Sequence, residues 1–262
     1  MISHAEILNA YKALLERVEK DTSLLKALLP YEQFEIPTLE GANAQWFLFR
    51  TQASDFVREI LNSLNQFRNY IARLAAWCQV LPPYSDSEKF DLLLEFVYPI
   101  AFCSLDYPYQ LRNRLIYCAC CLCDAANHLL TNPPATRLPV DKSINFKTLQ
   151  SIGSGWSNME GLKIALVSVN GDAFKKQTGD FRHSAHHRIP PAIEMGYPLL
   201  LRRMPSAPGT RRYGFGSPRP LLLDDLVDLL LVEHRCAVEA YRALWLLIEE
   251  QGGFFEGNLT TG

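Results

Sequence analysis

The sequence predicts an all-α protein, a multi-helix bundle of five to seven helices. Three observations predict it. An apolar stripe runs from Trp46 to Leu81 in alternating steps of three and four residues. A second stripe, through Leu222, Leu226, Leu229, Ala237, Tyr241, Leu244 and Ile248, occupies Leu221 to Gln251. No segment holds the two-residue alternation of a strand beyond three or four positions, although "ALVSVNG" comes nearest and "IEMGYPLLLRR" has room for a short hairpin arm.

Taken in chain order, Ile7, Tyr11, Leu14, Val18, Leu24 and Leu28 mark a first amphipathic helix from Ile2 to Leu28, followed by a loop with Pro30, Pro37 and Gly41. The Trp46–Leu81 helix comes next and ends at Pro82-Pro83. Ser85 and Glu88 have the spacing of a capping box, which starts a third helix reaching about Leu105 with a kink at Pro99. Pro108 opens the next helix, which carries the cysteines to about Leu130. "TNPPATRLPVD" then breaks the pattern. Residues 1–131 are thus read as an N-terminal helical region, 132–143 as a Pro-rich linker, and 144–262 as a C-terminal region packed on the first, the whole compatible with one globular unit. The stretch from Ile144 to Gly155 is ambiguous. Ser157 or Asn158 caps a helix that begins at Met159 and runs, through Gly171 and Gly179, to His187. Ile189 to Pro220 is long, irregular and rich in Pro and Gly.

The chain has 262 residues, 48% apolar and 21% charged, with a formal net charge of −2. That suits a folded globular protein and argues against disorder. The first residues mix charged and apolar side chains at helical spacing, with no apolar core of a signal peptide. Phe90 to Leu105 is broken by Glu95 and Pro99, too interrupted for a membrane span. A cytoplasmic location is expected, with no membrane association. Four of the seven cysteines lie in "CACCLC" (Cys118, Cys120, Cys121, Cys123), a spacing that reads as small apolar residues of a buried helix rather than a zinc site.

Charge is unevenly placed. Phe174 to Pro220 holds nine basic residues and two acidic ones, +7 in a chain of −2. Lys175, Lys176, Arg188, Arg202, Arg203, Arg211 and Arg212 are therefore candidate nucleic-acid-binding residues, because such a strip can track a phosphate backbone. Tyr197, Tyr213 and Phe215 lie among the arginines and are able to stack on unpaired bases. The competing reading is that these arginines pair with the acidic body and pin the loop.

Within this strip, "FRHSAHHR" gathers Arg182, His183, His186, His187 and Arg188. On a helix, His183 lies one turn from both His186 and His187. Zinc helices use such pairs, but here Ser184 and Ala185 stand where a glutamate base is needed, and two arginines repel a cation, so no metal or other cofactor is expected. Acid–base chemistry is a second reading: guanidinium clamps a phosphate, and imidazole takes or gives the proton of an RNA 2′-hydroxyl. A third is a cation cluster at a helix C-terminus, which Pro190-Pro191 marks.

The six residues from Arg182 to His187, with four residues between the arginine and the histidine and polar His183 after the arginine, resemble the R-x4-H motif of the HEPN superfamily. The resemblance implies a four-helix core, to which the long irregular basic loop is added in this chain, a homodimer, and a composite site shared by two protomers. It implies metal-independent cleavage of RNA, as in toxin, defence and RNA-processing systems, with Arg182 and His187 as catalytic residues and His183 and His186 in support. Ile189 stands where some members carry a tyrosine that accepts a nucleotidyl group. Two alternatives stay beside it: a non-catalytic helical module that binds nucleotide or a partner protein, and a histidine-cluster metalloprotein.

Overall fold

A computed structural model describes residues 2–21, 28–34, 36, 44–130, 137–198, 200–204, 207, 209–216 and 218–259. It is about 74% helical, and the all-α class holds. The expected linker falls partly, and the turn at Pro37 and Gly41 wholly, outside the described residues.

The elements are α1 (His4–Lys20), α2 (Ala44–Val80), α3 (Asp86–Leu92), α4 (Tyr98–Leu130), α5 (Phe146–Ile152), α6 (Met159–Ser168), α7 (Asp172–Gln177), α8 (Phe181–His187), β1 (Leu201–Met204), β2 (Arg212–Phe215) and α9 (Leu223–Leu259). They gather into two compact units. One comprises residues 1–27, 68–107 and 171–232, the other 28–67, 108–170 and 233–262.

In the first unit, Ser3 and Glu6 form a capping box that starts α1, and the chain leaves the helix at Asp21. The Ser85–Glu88 box starts α3 as expected: the Glu88 carboxylate accepts from the Ser85 backbone N–H at 2.8 Å and from its hydroxyl at 2.6 Å. Phe96 lies between Tyr11 and Trp77, with ring centroids 5.5 and 5.4 Å away. Around this stack Leu14, Leu74, Leu92, Val97, Leu105, Leu226 and Leu230 are all at most 2% exposed. In the second unit, Trp46, Phe49 and Phe255 pack with centroids 4.8 to 5.8 Å apart. Leu61, Leu64, Leu115, Leu162, Leu244 and Leu247 are buried in the same unit.

Several expectations are corrected. The chain does not break before Pro108: α4 runs unbroken past it. The irregularity sits earlier, in a π-helical turn over Leu93–Val97 that widens the spiral just before Pro99. Pro108 removes one helical hydrogen bond, yet burial of Leu105, Leu111 and Leu115 on the same helix outweighs that loss. Neither Ser157 nor Asn158 caps α6 with its side chain; Glu250 of α9 accepts from both backbone N–H groups, at 2.7 and 2.9 Å. The single helix expected from Met159 to His187 is three helices, because Asn170, Gly179 and Asp180 take left-handed backbone conformations. The stretch from Ile189 to Pro220 holds an antiparallel pair in which Leu201 faces Phe215 and Arg203 faces Tyr213. "ALVSVNG" is helix and turn.

All seven cysteines are free. Cys118, Cys120 and Cys123 are buried on α4, and desolvation pushes each thiol up to about 12, so they remain protonated at neutral pH. Among the described residues no helix is long and apolar enough to cross a membrane.

Candidate functional site

The R-x4-H segment forms its own short helix, α8, in the first unit. Its start is set by the chain reversal at Gly179 (φ +63°) and Asp180 (φ +50°). The Asp180 N–H donates to the Lys175 carbonyl at 2.6 Å, closing α7, and Ser184 N–H donates back to the Asp180 carbonyl at 2.9 Å. A Cβ at Gly179 would also stand 3.3 Å from Cγ of Pro191. Gly179→Ala is therefore expected to cost about 1–2 kcal/mol from the left-handed backbone alone, read as a lower midpoint in urea unfolding.

Two neighbouring side chains bind the first turn of α8 to α4. Phe181 is 3% exposed and meets the Phe102 ring edge-on at 5.1 Å. Arg182 Nε lies 3.2 Å from Asp106 Oδ1, both side chains partly buried. Phe102 and Asp106 are one turn apart on α4, so a single helix face fixes both anchors and with them the Arg182 backbone.

The histidines lie beyond these anchors and are at least partly exposed. His183 and His187 rings are 5.0 Å apart, and His186 and His187 6.4 Å. Arg182 and His187 are five positions apart, about 140° around a helix, whereas Arg182 and His186 are four apart and share a face. Within one chain the helix thus pairs His183 with His187 and directs Arg182 toward α4. Arg188 N–H donates to the Ser184 carbonyl at 2.7 Å, and there the helix stops.

The two carboxylates nearest in sequence do other work. Asp180 is part of the reversal. Glu194 accepts from the Leu223 N–H at 2.8 Å and so caps α9. Tyr98 donates to the carbonyls of Ile193 and Met195, both 3.2 Å away, tying down the chain that follows the Pro-Pro pair. Among the described residues, no group of three or more His, Cys, Asp and Glu is placed to hold a metal ion.

The basic strip divides. Lys175 pairs with Asp172 at 3.5 Å, and Lys176 is exposed. Arg188, Arg203, Arg211 and Arg212 are exposed, and among the described residues none of them forms an ion pair. The Arg202 side chain lies outside the described residues, while its backbone pairs with Gly214 in the hairpin. A cavity of about 670 Å³ lies along the first turns of α9, where Leu222, Leu226, Leu229 and Val232 line it with Asp225 and Asp228.

Sequence reasoning missed Asp106. It sits 76 positions before Arg182 in an apolar helix, and no local pattern connects them. Comparison with protein-family models, curated proteins and solved structures finds no match.

Proposed function

We propose that this protein binds RNA and cleaves it without a metal ion, as a homodimer of the toxin, defence or RNA-processing kind. The observation that carries this reading is the contrast within α8: a guanidinium held in place by Asp106, next to a pair of solvent-accessible imidazoles 5.0 Å apart. A fixed guanidinium stabilises charge that develops on a phosphate. A solvent-exposed imidazole on an open face reaches a 2′-hydroxyl. One imidazole removes the 2′-hydroxyl proton, the 2′-oxygen attacks phosphorus, and the bond to the 5′-oxygen breaks as a second, protonated imidazole returns a proton to it. The 140° separation of Arg182 and His187 supports a site completed by a second protomer, each chain giving its arginine to the other's histidine. Like the resemblance, the exposed arginines downstream, which form no ion pair among the described residues, favour a nucleic-acid substrate. The two long apolar stripes, the alternative route to a docking protein, are buried at most of their positions, although Leu222 at the start of the second is 49% exposed.

The test uses a mixed RNA pool with a chelator. Wild-type protein is expected to shorten the RNA and His187→Ala to leave it intact. Equal survival of the RNA with both proteins would reject cleavage.

A further inference from the structure

From the register of the β1–β2 hairpin we infer a stacking platform for unpaired RNA, separate from the R-x4-H helix. The inference rests on the RNA reading above but concerns binding alone. Side chains alternate along a strand, and directly opposed residues share a face. Leu201 and Arg203 on β1 thus share one face with their partners Phe215 and Tyr213 on β2. That face is open: Leu201, Tyr213 and Phe215 are 52%, 59% and 91% exposed. On the opposite face Met204 lies over Gly214, where a Cβ would stand 3.0 Å from Met204 Cγ.

Two aromatic rings two residues apart on a strand are about 7 Å apart, a spacing at which each ring takes one base of an unstacked strand. Arg203 sits directly across from Tyr213. Between Glu194 and Asp224 the chain carries five arginines, no lysine and no carboxylate. Arginine suits this use because its planar fork both grips phosphate and stacks, where lysine supplies only a point charge. Duplex RNA keeps its bases paired and offers these rings nothing to stack on. The occupant that fits both the rings and the charge is therefore single-stranded RNA, and the platform makes the protein select unpaired segments.

The experiment measures anisotropy of a labelled 2′-O-methyl RNA 12-mer, single-stranded and as a duplex, at two salt concentrations. The 2′-O-methyl group removes the hydroxyl that cleavage needs, so binding is read without turnover. Wild-type protein is expected to bind the single strand at least ten-fold more tightly than the duplex, and less tightly at higher salt. Tyr213→Ala and Phe215→Ala should each weaken single-strand binding by roughly 5- to 100-fold, with Phe215→Trp restoring it. The readout is binding to an RNA that cannot be cleaved, which separates failure of the platform from failure of the cleavage reading. Both alanine changes fall on exposed rings, and unchanged circular dichroism confirms the fold. Unaltered affinity in both alanine variants, equal affinity for duplex and single strand, or binding to anionic lipid vesicles but not to RNA would each overturn the platform.

Discussion

Arg182→Ala is expected to lower the rate of RNA cleavage by about 100- to 1,000-fold, the usual loss when a fixed donor to developing charge is removed. Arg182→Lys is expected to lose nearly as much. Lysine keeps the charge but lacks the planar guanidinium, whose Nε lies 3.2 Å from Asp106 Oδ1 in the native protein. Asp106→Asn tests the anchor separately. It keeps the shape of the side chain while removing its charge, so the Arg182 guanidinium is held less firmly. The expected result is about a ten-fold lower kcat with KM little changed, because Asp106 positions the arginine and does not touch substrate. Stability should distinguish this from general damage: the pair is partly exposed, and exposed pairs contribute about 1 kcal/mol or less. An Asp106→Asn protein with a normal unfolding midpoint and full cleavage would deny Asp106 its positioning role. An Arg182→Ala protein with full cleavage would remove Arg182 from the site.

The long helices were legible because burial leaves a 3.6-residue record in the sequence. From Trp46 to Leu81 the stripe predicts a helix, and Ala44–Val80 is one. Local rules did less well where packing overrides them. Pro108 reads as a helix start, yet it sits inside α4 among buried leucines. Gly179 reads as a tolerable glycine in a continuous helix, whereas its left-handed backbone and that of Asp180 turn the chain and isolate the motif. Of the hairpin, only the arm in "IEMGYPLLLRR" was legible, and it reaches β1; β2 left no alternation because its side chains are exposed, Tyr213 at 59% and Phe215 at 91%. For the candidate site, the histidine cluster and its spacing were visible in eight residues. The Asp106 anchor was not, since a contact spanning 76 positions requires the packing of α8 on α4. Nor did the sequence reveal that Glu194, the carboxylate that follows the Pro-Pro pair, is engaged in capping α9.

Glu233 is a further case of a charge whose setting the sequence conceals, and it supplies the second large expected effect. In the structure Glu233 is 4% exposed and His234 7%. One hydrogen bond to Glu233 comes from the backbone N–H of Asn170, 2.7 Å from Oε2, where Asn170 holds a left-handed φ of 52° after α6. His234 Nε2 lies 3.2 Å from the Leu64 carbonyl, and its ring packs against Phe67. Burial of Glu233 raises its carboxyl from 4.5 to about 7, against the opposing pull of the Asn170 hydrogen bond. The folded chain therefore holds a proton between these values that the unfolded chain releases. Its stabilising contribution is complete below pH 4.5 and is lost as pH rises through about 7. At 1.36 kcal/mol per pKa unit the full change is about 3 kcal/mol. Glu233→Gln has no proton to lose, and its amide oxygen can still accept from Asn170. Urea unfolding at pH 5, 6, 7 and 8 should show the glutamine variant gaining on wild type by about 2.5 kcal/mol across that range, the remainder of the change falling below pH 5. Parallel stability curves for the two proteins would mean that Glu233 is ionised in the folded state throughout, and that burial at this turn of α9 does not hold its proton.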